Sequence, residues 1–62
     1  MAGGIELIDV EQAAERLRTT PRFVRRLVYE RKVPFFRVGR YIRFDPADLD
    51  AWLSECRVDR LR

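Results

Sequence analysis

Leu17-Arg18-Thr19-Thr20-Pro21-Arg22-Phe23-Val24-Arg25-Arg26-Leu27-Val28-Tyr29 holds the end of one helix and the start of the next with almost nothing between them. Thr20 has a side-chain oxygen that can accept a free amide at a helix start, and Pro21 at the first helical position gives up no hydrogen bond. From there Val24, Leu27 and Val28 recur at helical spacing and predict a helix to about Tyr29 or Arg31 with those three inward. Upstream, Asp9 and Gln12 have the spacing of a capping box and predict a helix over Val10 to Leu17. Its apolar face is Val10, Ala13, Ala14 and Leu17, and the two small alanines let another helix cross closely. Only Arg18 and Thr19 remain between the helices. Two helices joined so tightly cross at a steep angle, as a helix-turn-helix.

Pro34 closes that unit, and from Phe35 to Phe44 the apolar period changes from 3.6 to 2. Phe36, Val38, Ile42 and Phe44 share one parity; Arg37, Tyr41 and Arg43 share the other, with Gly39-Arg40 between. The pattern predicts a β-hairpin with an apolar face and a basic-aromatic face. Keeping the four apolar residues on one side requires Val38 opposite Ile42 and a three-residue loop from Gly39 to Tyr41. Asp45-Pro46-Ala47-Asp48 then repeats the cap, proline and first-turn acid of a helix start. Leu49, Trp52, Leu53 and Cys56 follow at i, i+3, i+4 and i+7, a stripe expected to pack on the first two helices. Cys56 is expected to end that stripe as a small buried or half-buried hydrophobe. The fold class is therefore α+β, mostly α: one winged helix-turn-helix domain over 1–62, ordered over about 7–56. Gly3-Gly4 is expected to be a frayed end, and Arg57 to Arg62 a tail of little order.

Sixty-two residues cannot build two cores or enclose a deep substrate pocket. With no histidine and one cysteine, an internal disulfide, an ordinary zinc site and His-dependent nucleophilic catalysis are excluded. No pair of acids is set up for acid–base or metal work, so no enzyme, catalytic residue, metal or cofactor is expected. The charge is sorted along the chain. Residues 1–15 carry four acids and no base; residues 16–43 carry ten bases against Glu30 alone; residues 44–62 carry five acids against Arg57, Arg60 and Arg62. A basic block between acidic ends is the footprint of a surface that meets phosphate. Met1-Ala2-Gly3-Gly4 has no basic start and precedes no long apolar stretch, so neither a signal peptide nor a membrane span is expected. Cytoplasmic residence is the expectation.

The helix from Pro21 leaves Arg22, Phe23, Arg25, Arg26 and Tyr29 off its apolar face. The second helix of a helix-turn-helix lies in the major groove of double-stranded DNA with its N-terminal residues near base edges. Arginine there can grip guanine O6 and N7 with two hydrogen bonds, so Arg22 and Arg25 or Arg26 should include the base reader. Phe23 can touch a thymine methyl or fold back beneath the hairpin, and partial core burial is favoured. Tyr29 can donate to a phosphate or cover the helix end. The hairpin tip Gly39-Arg40-Tyr41, with Arg37 and Arg43, has the character of a wing whose Arg40 can enter an adjacent minor groove. Arg18 and Thr20 at the turn complete the set of candidate DNA-binding residues.

Val10-Glu11-Gln12-Ala13-Ala14-Glu15-Arg16-Leu17, Thr20-Pro21-Arg22-Phe23-Val24-Arg25-Arg26-Leu27, Val33-Pro34, Arg37-Val38-Gly39-Arg40 and Asp48-Leu49-Asp50-Ala51-Trp52-Leu53, in that order, resemble the excisionase-type DNA-binding domains related to MerR winged helices. The likeness covers about residues 7–53. It implies a recombination directionality factor that binds adjacent sites beside an attachment site of a phage or mobile element, bends or coats the DNA, and helps a site-specific integrase excise the element. Carried over, it points to Arg22, Phe23, Arg25 and Arg26 on the recognition helix and Arg40 at the wing. The partners so implied are double-stranded DNA, an integrase and neighbouring copies on DNA. MerR regulators proper continue into a dimerising helix, which does not fit in Arg57 to Arg62, so no small-molecule effector is expected. Two departures stand out: the family usually has glycine where this chain has Arg18 and Arg31. A left-handed backbone at either position would cost on the order of 1 kcal/mol, so either the turns are rebuilt or the strain is tolerated because both arginines add phosphate contacts. A small transcriptional regulator using the same surface is the alternative, and a protein-interaction module is the alternative of another class.

Overall fold

The computed structural model describes residues 6–59. Among the described residues there are three helices, α1 (Val10–Leu17), α2 (Pro21–Tyr29) and α3 (Pro46–Glu55), and one two-stranded antiparallel hairpin, β1 (Phe36–Val38) and β2 (Tyr41–Arg43), placed between α2 and α3 in the chain. This is a winged helix-turn-helix.

Each helix starts where its cap can satisfy free amides. Asp9 accepts from the Gln12 amide at 2.8 Å while the Gln12 side chain accepts from the Asp9 amide at 3.0 Å, closing the capping box. Thr20 Oγ1 accepts from the Phe23 amide at 3.1 Å, and Asp45 Oδ1 from the Ala47 amide at 3.0 Å. The helix ends of α1 and α2 are also alike. Thr19 N–H donates to Ala14 O at 2.8 Å and Arg18 N–H to Glu15 O at 3.1 Å; Lys32 N–H donates to Leu27 O at 2.9 Å and Arg31 N–H to Val28 O at 3.0 Å. Both are Schellman endings, and both place an arginine, at φ 58° and 56°, in the left-handed position that glycine usually fills. The turns are kept and the strain is accepted.

The core is Ala13, Ala14 and Leu17 from α1, Val24 and Leu27 from α2, Val33, Phe44 and Leu49. Ile8, Val10, Val28, Phe35, Ile42 and Trp52 pack around it. Ala13 and Ala14 are 0% and 2% exposed on α1, which packs against both α2 and α3.

The hairpin departs from the expected register. Val38 pairs with Tyr41, Arg37 with Ile42 and Phe36 with Arg43, around a two-residue turn, Gly39-Arg40. Gly39 has φ +64° and Arg40 is not in the left-handed region, the pattern of a type II′ turn. One residue of slip changes which side chains share a face. Ile42 and Phe35 turn to the core, whereas Phe36 and Val38 remain 40% and 50% exposed beside Tyr41 and Arg43. Ile8 and Phe44 form a β-bridge, with N–H to O distances of 2.9 and 2.8 Å, that clips the segment before α1 to the end of β2. Phe44 itself is 0% exposed within the core, and the bridge joins residues too far apart in the chain for apolar pattern to pair them.

The α3 stripe is shorter than expected. Leu49 is fully buried and Trp52 partly, but Leu53 is 45% exposed and Cys56 is exposed, not buried. α3 lies mainly against α1, and across that contact Arg16 Nε and Nη2 donate to the two carboxylate oxygens of Asp50 at 2.9 and 2.8 Å. That crossing leaves the last turn of α3 beyond the core. Arg57–Asp59 form an ion pair at 2.8 Å without regular structure. The expected fraying at Gly3-Gly4 and the tail residues Arg60 to Arg62 lie outside the described residues.

Candidate nucleic-acid interface

Val24 and Leu27 face inward, so the 3.6-residue period turns Arg22, Phe23, Arg25, Arg26 and Tyr29 outward on α2. Phe23 is 40% exposed and outside the core cluster, which corrects the expectation of burial beneath the hairpin. It lies instead in a shallow hollow with Thr20, Arg22 and Arg26. Tyr29 is 87% exposed and does not cover the helix end. Thr20 Oγ1 uses one of its two lone pairs on the α2 cap, which leaves its hydroxyl proton to donate elsewhere.

Two of these arginines already have partners. Arg25 Nη2 lies 3.3 Å from Glu11 Oε2 across the α1–α2 crossing, and Arg26 Nε lies 3.1 Å from Glu30 Oε2. Lys32 also approaches Glu30, at 3.6 Å. The Arg26 hydrogen bond chiefly holds the Glu30 carboxyl below its ordinary range. Among the described residues no carboxylate lies within salt-bridge distance of Arg18, Arg22, Arg31, Arg37 or Arg40.

The hairpin register splits the expected basic-aromatic face in two. Arg37, opposite Ile42, falls on the side that faces α2; Tyr41 and Arg43 fall on the outer side with Phe36 and Val38. The guanidinium carbons of Arg40 and Arg43 stand 5.9 and 5.2 Å from the Tyr41 ring centroid, within cation–π range. Arg43 is further tied down by donating from Nη1 to the Ile42 carbonyl at 2.8 Å. Between α2 and the hairpin runs an open groove of about 480 Å³. Val28, Phe35 and Ile42 supply its apolar surface; Arg25, Arg31, Arg37 and Arg40, with Tyr29, supply the rest, and no carboxylate lines it. Arg31 belongs to this group, at the turn where a phosphate contact is one of the two explanations offered for a non-glycine residue. Its left-handed backbone is the signal, since a side chain held at a glycine position at a cost invites a reason.

The chain matches the model of the Helix-turn-helix domain family over residues 7–57. It belongs to that family. No curated protein and no solved structure matches it. Helix-turn-helix domains bind DNA, and in them the second helix, here α2, carries the outward residues just described. Among the described residues no helix is long and apolar enough to cross a membrane, and no group of three or more His, Cys, Asp or Glu could hold a metal ion.

Proposed function

We propose that this helix-turn-helix protein is a sequence-specific, double-stranded-DNA-binding excisionase of the MerR-like winged type, a recombination directionality factor without strand chemistry of its own. The observation that carries the DNA-binding part is the groove between α2 and the wing, which four arginines line and no carboxylate does; of the four, Arg25 alone has a carboxylate partner among the described residues, Glu11. With α2 in the major groove, Arg22, Phe23, Arg25 and Arg26 face the base edges and flanking phosphates, with Arg18, Thr20 and Tyr29 at the borders of that contact. The backbone runs along Arg31 and Arg37, and Arg40 at the wing tip reaches the neighbouring minor groove. Tyr41 and Arg43 support Arg40 from the outer face of the hairpin. The excisionase part rests on the resemblance of the motif series from Val10 to Leu53, which also supplies the remaining partners: a site-specific integrase and adjacent copies along the DNA, in a bacterial cytoplasm.

The test is a nuclease footprint, at stated salt, over the DNA flanking the gene and its element's attachment site. Several adjacent protected repeats beside the attachment core, filling cooperatively, are expected, together with increased excision when the protein is added to integrase and hybrid attachment sites. One isolated site over a promoter would replace the excisionase by a transcriptional regulator. No protection even at low salt would remove DNA and leave a protein-interaction module.

A further inference from the structure

Carboxylates are distributed unevenly among the α2 arginines. Arg25 gives one Nη2 donor to Glu11, 3.3 Å away in the first turn of α1, and the two side chains are 61% and 65% exposed. Arg22, three residues earlier, has no carboxylate within salt-bridge distance among the described residues. Arg26 has Glu30, but Lys32 shares that carboxylate. Glu11 therefore places an unshared negative charge beside one arginine in the middle of the basic surface.

We propose that Glu11 is a specificity-determining positioning residue: it reserves Arg25 for a base edge and keeps it off phosphate. The inference rests on the DNA-binding reading above. A guanidinium has five N–H donors in a flat fork, and Glu11 occupies one. Guanine O6 and N7 are uncharged acceptors and can take two of the remaining donors without being repelled by the carboxylate. A phosphate approaching the same fork brings an anion toward an anion, and the pair as a whole offers it no net charge. The penalty therefore falls on sequence-independent binding, which is made of phosphate contacts. An exposed pair like this one adds little to fold stability, which leaves its effect on binding as its main consequence. Arg22, with no such neighbour, is left as the phosphate contact of the same helix face.

The test measures salt-dependent binding of the intact chain to two duplexes: a random-sequence one, and one enriched by the wild-type protein from a random library. For Glu11→Gln the log–log salt slope on the random duplex steepens by about 0.9, as one more phosphate is neutralised. Between about 200 and about 50 mM salt that is roughly a threefold extra gain in random binding, and the enriched-to-random ratio at the lower salt falls by a similar factor. Glu15→Gln removes a charge from the same helix, from a residue with no arginine within salt-bridge distance among the described residues, and leaves the ratio unchanged. In an Arg25→Ala background, Glu11→Gln has no more effect than Glu15→Gln. A purely structural role for Glu11 would move the melting temperature and not the slope. Equal slopes for wild type and Glu11→Gln, or an equal effect from Glu15→Gln, overturn this inference alone. Failure of the wild type to bind either duplex at the lower salt overturns the DNA-binding reading and this inference with it.

Discussion

The α1–α2 corner and the hairpin lie side by side, and their apolar residues obey different rules. In the corner, Ala13, Ala14, Leu17, Val24 and Leu27 are all buried, as helical spacing alone places them. In the hairpin, strict alternation puts Phe36, Val38, Ile42 and Phe44 on one face, yet the fold divides them between two. A helix closes its hydrogen bonds within itself, so its faces follow from its sequence once its caps are known. A strand's faces depend on how its partner is registered, and that depends on turn length and on what lies beneath. The lesson is that α2 carries its binding face intrinsically, whereas the wing acquires one only on assembly.

The largest effect that can break this comparison is in the hairpin. Phe44→Ala is expected to cost about 3–5 kcal/mol, enough to unfold so small a domain, because the ring is fully buried. Phe36→Ala, on the outer face at 40% exposure, should cost well under half of that. Urea denaturation of the two variants decides it, and similar losses would mean that the register is that of the alternation pattern after all. The helix corner is sharpened by Arg18→Gly. Relieving the left-handed arginine should raise stability by up to about 1 kcal/mol. If Arg18 contacts phosphate, the same change should make the salt slope of DNA binding shallower by about 0.9. A stability loss without a slope change would show that the side chain serves the turn itself.

The smallest effect concerns the clamp between α1 and α3. The Arg16 hydrogen bond, its largest cause, holds the Asp50 carboxyl below its ordinary range, and Asp50 in turn raises Arg16. A depressed carboxyl adds stability that is complete above its unfolded-state value and is lost as pH falls through the folded-state value. Wild type should therefore melt slightly higher than Asp50→Asn near neutrality. The gap should close on acidification below about pH 4. With both groups largely in solvent the difference is small, and melting curves that stay parallel into acid would show that the pair contributes nothing to stability.

Much of the fold is legible without a structure because its signals are local. Asp9, Thr20-Pro21 and Asp45-Pro46 start three helices within hydrogen-bonding distance of themselves, and the outward set Arg22, Phe23, Arg25, Arg26 and Tyr29 then follows from the helical period. The glycine-like positions of Arg18 and Arg31 are legible too, through the resemblance, though not that the backbone keeps its left-handed shape there. Other features belong to tertiary structure alone. The Ile8–Phe44 bridge joins residues distant in the chain, and the angle of α3 over α1 decides that Leu49 and Trp52 pack on the core while Leu53 and Cys56 remain in water. The two-residue turn at Gly39-Arg40 turns Arg37 toward α2, so that it meets Arg25, Arg31 and Arg40 in one groove, and the helix crossing brings Glu11 to Arg25. Local hydrogen bonds can be satisfied by neighbours in sequence. Register, crossing angle and the meeting of distant charges are set only when the apolar surfaces of all five elements are buried together.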